Sequence, residues 1–298
     1  MTPRHYVLLG FICLVWAANF LAAAWAVDWM GPVTFTVLRF ALVLMLVAPF
    51  LRWPGNGQWP LLLACCWSMG ALHFGLVFAA LGRAADVSSV AILMQVYVPM
   101  STLLAVLLIG ERIGWRTSAG IGLALFGVCV VGLDPLVLAQ LDALLLVLAS
   151  AFFLALGTVL MRRLSGVGVF SFQAWNALLS LPPLALVAWW LESPQLAVLA
   201  AEVPTSAWLA VVYSAVGASI IGHGGFYWLI QRHPVSDITP YLLLVPVLAV
   251  ILGVLVWGDR PGWRLLAGGA LVLTGVLWVT LRGRYRRRRI VSEKAAGL

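Results

Sequence analysis

Ten apolar stretches of about 20 residues each run through the chain, and they come as two sets of five. An α-helix rises about 1.5 Å per residue, so each stretch can cross a hydrocarbon layer about 30 Å thick. A lone span in lipid must satisfy its backbone hydrogen bonds internally, which a helix does. The alternation of polar and apolar residues that marks barrel strands is missing. Spans are expected at 6–27, 32–51, 60–81, 87–110, 117–133, 142–161, 170–191, 207–230, 236–257 and 264–281. The longest connections, Glu192 to Ser206 and the segment after Arg282, are too short for another domain. Only 9% of the residues are charged, against about a quarter in soluble domains. The expected fold class is an all-α polytopic membrane protein. The first span has Arg4 before it and small residues at Ala22 to Ala24, like a signal peptide. Its apolar length favours an uncleaved helix.

Loop charges give an orientation. With the N-terminus in the cytoplasm, Arg4, Arg52, Arg112, Arg116, Arg162, Arg163, Arg232 and the tail run Arg286 to Arg289 lie inside. Only Arg83, Arg260 and Arg264 lie outside, which is the positive-inside pattern and predicts both termini cytoplasmic. The acids Asp28, Asp86, Asp134, Asp142, Glu192, Glu202 and Asp259 all fall outside. The net charge of +8 therefore reads as a topology signal that also touches anionic lipid headgroups, not as a nucleic-acid surface. The expected localisation is the bacterial inner (plasma) membrane.

The two sets of five share a sequence pattern. Glu111-Arg112-Ile113-Gly114-Trp115-Arg116 recurs as Asp259-Arg260-Pro261-Gly262-Trp263-Arg264. At the same offset Gly120 meets Gly268 and Gly127 meets Gly275. Pro99 and Pro246 each sit near the middle of the preceding helix. Five is an odd number, so the second copy enters the membrane from the opposite side. Inverted repeats are a transporter architecture with the substrate site near the midplane between the halves. The expected organisation is residues 1–136 as the first five-helix repeat, 137–284 as the second, and 285–298 as a basic cytoplasmic tail.

The chain resembles the EamA branch of the drug/metabolite transporter superfamily. The resemblance rests on the acid–Arg turns, on Trp16-Ala17-Ala18-Asn19-Phe20, on Leu38-Arg39-Phe40 and on Ser150 to Leu160, in their order and spacing. Within that branch the central helices are most similar to those of aromatic amino acid exporters. The resemblance implies alternating-access export of amino acids: phenylalanine, tryptophan, tyrosine and methionine, with threonine as a smaller candidate. The alternative is the same fold carrying another small metabolite or drug.

Polar groups inside a membrane are costly unless they are paired or face a cavity. On that ground the candidate cavity residues are Trp16, Asn19, His73, Tyr97, Ser101, Phe153, His223, Tyr227 and Tyr241. Trp16 and Asn19 share a helix face. Ser219, His223 and Tyr227 form a stripe at i, i+4, i+8. Pro99, Pro246, Gly157 and Gly224 are the candidate hinge or gate positions. Trp175 and Asn176 lie closer to the cytoplasm. Interhelical hydrogen bonding and packing are the competing reading for each.

Most tryptophans sit near span ends as interfacial anchors, which leaves Trp16 and Trp67 as the central ones. Arg39 is the one cation well inside a span. Snorkelling toward the outer end of its helix, or a carbonyl partner, is expected ahead of a substrate carboxylate. No Asp or Glu lies near mid-depth, and Asp237 marks the cytoplasmic entry of the ninth span. This favours a neutral or zwitterionic solute over a cation. Cys13, Cys65, Cys66 and Cys129 have no metal-ligand spacing and read as small buried residues. No metal or other cofactor is expected, and no hydrolase or nucleotide-loop motif is found. The expected partners are a zwitterionic amino acid and membrane lipid, with the protein acting as a monomer.

Overall fold

The computed structural model describes residues 2–55, 57–198, 202–233 and 238–295, with the side chains of 198, 227, 230, 231, 239 and 283–295 outside the described set. Asp237 and the tail side chains therefore lie outside it. Among the described residues, ten helices are long and apolar enough to cross a membrane. They are α1 (Pro3–Met30), α2 (Pro32–Phe50), α3 (Trp59–Leu81), α4 (Val87–Ile109), α5 (Trp115–Gly132), α6 (Leu141–Met161), α7 (Val169–Leu191), α8 (Thr205–Phe226), α9 (Pro240–Trp257) and α10 (Trp263–Arg282). All ten expected spans are found, with ends shifted by a few residues. The start of α1 and the end of α10 mark the terminal end of the bundle, and the α1–α2 turn marks the distal end.

Helix ends follow local chemistry. Pro3 and Pro32 open α1 and α2 at positions whose N–H has no helical partner. Gly110 and Gly258 close α4 and α9 with φ of 74° and 81°, the left-handed cap that glycine adopts without strain. Each directly precedes an acid–Arg turn. Pro99 and Pro246 are buried, and a tight 3₁₀ turn precedes each, Met94–Val96 and Thr239–Leu243. Proline removes one backbone bond, and the shared tight turn puts the same break into α4 and α9.

The glycines of the repeat meet face to face. A Cβ on Gly127 would lie 2.6 Å from Val272 N and 2.7 Å from Gly268 O. One on Gly275 would lie 2.5 Å from Ala124 N and 2.6 Å from Gly120 O. Sequence pairs Gly120 with Gly268 and Gly127 with Gly275, but space pairs each with the other's partner. Two equivalent helices exchange contacts in this way only if they run antiparallel, so α5 and α10 are inverted copies. Without side chains at the crossing the backbones come into direct contact, the usual driving packing between helices in lipid.

Some of the acids expected in the loops, Glu192, Asp259 and Asp86 among them, turn out to be buried at the distal end. Glu192 follows α7 and accepts from Val33 N (2.9 Å), Thr34 N (2.7 Å) and Thr34 Oγ1 (2.7 Å) at the start of α2. Gly31, with φ of 81°, leaves room for that carboxylate, since a Cβ there would lie 2.7 Å from Glu192 Cδ. Asp259 follows α9 and accepts from Ser88 N (3.0 Å) and Ser88 Oγ (2.6 Å) at the start of α4. Carboxylates suit the N–H groups and positive dipole of a helix start. Asp86 caps α4 through Ser89 N at 2.6 Å. Burial pushes the Asp86 carboxyl above its usual range, the Ser89 bonds offset part of that, and nearby Asp259 and Asp134 push it further up. At the terminal end, Arg162 and Glu111 form an exposed ion pair, and His5 and His233 meet ring to ring at 2.7 Å.

The largest core cluster joins both repeats, from Phe35 and Phe78 to Val147, Ala210 and Val272. Leucines such as Leu107 and Leu255 point outward, as lipid requires. Two expectations are corrected. Cys129 is exposed, on the outward side of α5, while the other three cysteines are buried. Trp67 is not central to the interior but exposed on the surface, where its indole N–H donates to Leu179 O at 3.1 Å.

Candidate functional site

The third helix of each repeat widens into a π-helical segment, Trp67–Leu72 in α3 and Tyr213–His223 in α8. π turns put the following side chains out of α register and are common at functional sites. Each segment delivers a histidine: His73 follows the first directly, and His223 ends the second. The third helix of each repeat thus carries an imidazole at the end of its π segment, buried at His73 and half-buried at His223.

His73 is buried, and its Nδ1 lies 2.8 Å from Ser150 Oγ of α6. The Ser150 hydroxyl in turn donates to His73 O at 2.9 Å. A hydroxyl has one proton to give, so the ring must donate at Nδ1, leaving Nε2 as the acceptor of the neutral ring. His223 Nδ1 donates to Ala218 O at 2.9 Å, five residues back, as the wide turn allows. Ser219 Oγ donates to Ser214 O at 3.0 Å, also five residues back. The stripe expected at α spacing is therefore set by π geometry at its first two members. The Tyr227 side chain lies outside the described residues.

Trp16 of α1 comes to the same place. Its indole N–H donates to Ala218 O at 3.1 Å, and its ring lies 5.1 Å from His223 and 5.6 Å from Phe226. Gly222 makes this approach possible, because a Cβ there would lie 2.5 Å from Trp16 Nε1. Gly224, the expected hinge, would give its Cβ only an ordinary contact with Phe170. Ala218 O accepts from both rings, which fixes their mutual geometry.

Arg39 corrects the snorkelling expectation. It is 1% exposed, in a space closed by α3 and α8. Its Nε and Nη2 donate to Ser219 Oγ at 3.2 and 2.8 Å. The guanidinium lies 4.0 Å from the Phe74 ring centre, with Phe78 and Phe40 at 5.5 and 5.6 Å. These rings supply cation–π attraction and block the route to water. Among the described residues no carboxylate pairs with it, and its Nη1 is buried without a partner.

The other sequence candidates separate. Asn19 lies half-buried one turn from Trp16, with its Oδ1 buried and unpartnered. Tyr97 is half-buried against the main core. Ser101 Oγ donates to its own helix at Val98 O, 2.8 Å away. Phe153 is half-buried beside Phe152. Gly157 is a packing point, since a Cβ there would run into the Met69 side chain of α3. Tyr241 stands apart at the terminal end, exposed and edge-on to Tyr6 at 5.5 Å. Asn176 packs on Gly70, where a Cβ would meet its Oδ1 at 2.6 Å, and that oxygen is unpartnered. Trp175 joins Trp53 and Trp59 in an aromatic cluster at the terminal end.

Sequence reading misses Tyr213. A cleft of about 710 Å³ enters from the distal end between α1, α8 and α9, lined by Leu21, Trp25, Asp28, Ser206, Tyr213 and Trp257 among others. Tyr213 stands at the boundary between the cleft and the interior, and its hydroxyl donates to Val15 O at 2.9 Å, one residue from Trp16. In the sequence Tyr213 looks like one more residue in the outer part of an apolar helix.

Comparison with known proteins adds the family. The model of the EamA-like transporter family matches residues 4–133 and again 141–281. A protein of Escherichia coli (strain K12) named "Probable amino-acid metabolite efflux pump" is 26% identical, over 96% of this chain and 98% of its own length. One of Streptantibioticus cattleyicolor named "Probable terminal-alkyne amino-acid exporter" is also 26% identical, over 92% of this chain and 93% of its own. A solved structure overlays with a TM-score of 0.61 at 20% identity, covering 96% of this chain and 99% of the other, which establishes a common fold. With ten membrane-type helices in two inverted sets and a family model matched to each, the chain is a multi-pass membrane transporter, not an enzyme, and belongs to the EamA-like transporter family.

Proposed function

We propose that this protein exports amino acids from the cytoplasm across the bacterial inner membrane, favouring aromatic and other apolar ones. The cargo would include phenylalanine, tryptophan, tyrosine and methionine, with threonine as a smaller candidate. One observation carries the reading: Trp16 of the first repeat meets His223 and Phe226 of the second, between α1 and α8, with no acid among them, while the buried His73 is held by Ser150 of α6. Ring faces and hydrogen-bonding imidazoles suit a solute that is apolar at one end and polar at the other. The missing carboxylate disfavours a cation. The names of the Escherichia coli and Streptantibioticus relatives point to the same class of cargo.

In this account the terminal end faces the cytoplasm, the orientation that the loop charges favour. Glu192 and Asp259 fasten the periplasmic end, and the Tyr213–Val15 bond closes the floor of the periplasmic cleft. Export then needs those fasteners to open while the terminal end closes, with α4 and α9 bending at Pro99 and Pro246. The protein would act as a monomer. The test of cargo is efflux from loaded proteoliposomes. Labelled phenylalanine, tryptophan and methionine are expected to leave with saturable rates, while a nucleotide sugar and a quaternary ammonium drug are retained. Efflux of the drug or the sugar without the amino acids would overturn the assignment.

A further inference from the structure

We propose that Arg39 is the carboxylate-binding residue of the transport site, so that the cargo is recognised as a carboxylic acid. The inference deepens the reading above and rests on it for the amino acid. Four observations on one side chain support it. Arg39 is buried at 1% exposure within the membrane span α2. Among the described residues it has no carboxylate partner. The neutral Ser219 hydroxyl takes both Nε and Nη2. Nη1 is buried with nothing to donate to.

A guanidinium keeps its charge under nearly all conditions and presents a planar fork matched to a carboxylate. Burying such a group without an anion is expensive, and proteins normally supply the anion. Here the protein supplies only ring faces and a hydroxyl, so an incoming carboxylate is what completes the site. Phe40, Phe74 and Phe78 hold the plane of the fork and exclude the water that would otherwise satisfy it.

The location fits. Arg39 belongs to the first repeat and Ser219 to the second, so the bond crosses the division between the halves. Ser219 directly follows Ala218, whose carbonyl anchors Trp16 and His223. A solute whose ring lies against Trp16 would therefore have its carboxylate on the Arg39 side.

The experiment is counterflow in proteoliposomes with four probes of one shape: L-phenylalanine, 3-phenylpropionate, L-phenylalaninamide and phenethylamine. The wild type is expected to move the acids and to be inhibited weakly, if at all, by the amide and the amine. Arg39→Gln should slow phenylalanine by roughly 10- to 100-fold and erase the preference for acid over amide. Arg39→Lys, a charge without the fork, should recover part of both. The inference is overturned if wild type treats acid and amide alike, or if it moves neither acid. It is also overturned if a folded Arg39→Gln, with unchanged elution and melting, moves phenylalanine within about twofold of wild type. If that folded variant loses any residual inhibition by the amide and the amine in the same proportion as it loses transport of the acids, Arg39 is a structural cation and the inference is overturned too. If Arg39→Gln does not fold, the wild-type comparison of acid with amide decides. Transport of phenylpropionate without phenylalanine would sustain Arg39 and sink the amino acid reading. Phenylalanine transport indifferent to Arg39 would do the reverse.

Discussion

Gly127→Val is expected to prevent stable folding, whereas Gly122→Val, one and a half turns away on the same helix, should melt like wild type. A Cβ on Gly127 would sit 2.6 Å from Val272 N and 2.7 Å from Gly268 O, while one on Gly122 would meet nothing within 4 Å. Both obstacles at Gly127 are backbone, so no rotamer change relieves them. The α5–α10 crossing would have to open, and the matching contact between Gly120 and Gly275 would open with it. Overpacking a well-packed site usually costs about 1–3 kcal/mol, and more where the neighbours cannot yield. Small residues are what let helix backbones meet in lipid, where no hydrophobic effect would restore a separated pair. Thermal melts of the purified variants, followed by size-exclusion elution, read the difference. An unchanged melt for Gly127→Val would mean that the antiparallel glycine crossing does not hold the repeats together.

Trp16→Ala should lower amino acid transport by roughly 30-fold or more, the usual scale for truncating a central tryptophan at a binding surface. The substitution removes the ring that faces His223 at 5.1 Å and Phe226 at 5.6 Å, and with it the bond to Ala218 O. Trp16→Phe keeps a ring face but loses the N–H, so it should retain a good part of the rate with a raised KM. Trp29→Ala is the control, because Trp29 is exposed at the distal end. Initial rates of phenylalanine efflux from liposomes with matched protein content measure all three. If Trp16→Ala transports like Trp29→Ala, the ring at α1 packs helices and does not hold cargo.

Much of the fold is legible from sequence, for identifiable reasons. Span length and apolarity locate the helices because the membrane tolerates no other lone element. The recurrence of Gly120, Gly127, Gly268 and Gly275 announces the inverted pair, although only geometry shows that the partners are exchanged. Pro99 and Pro246 each fall just after a tight 3₁₀ turn in α4 and α9. Within the site, depth along a helix is readable but direction is less so. Trp67 looks interior in the sequence, and Arg39 looks set to snorkel toward its helix end. The π segment of α3 leaves the first on the surface, and the closure of α2 against α8 buries the second completely. Ser150 and Tyr213 are missed because their roles depend on long-range partners, His73 O and Val15 O. Tyr241 is placed too deep, since the tight turn Thr239–Leu243 holds it at the terminal end beside Tyr6. The buried work of Glu192 and Asp259 is likewise invisible to a reading that counts loop charges alone.

The central claim is that the two inverted halves expose one amino acid site to each side in turn. Exchange kinetics test it most directly. Liposomes carrying the protein are loaded with unlabelled phenylalanine, diluted into a trace of labelled phenylalanine, and sampled over time. A carrier with a single alternating site predicts a transient overshoot of internal label that grows with the internal load and disappears in Trp16→Ala. Label that rises smoothly to equilibrium at a rate indifferent to the internal load would contradict the account and mark the protein as a pore.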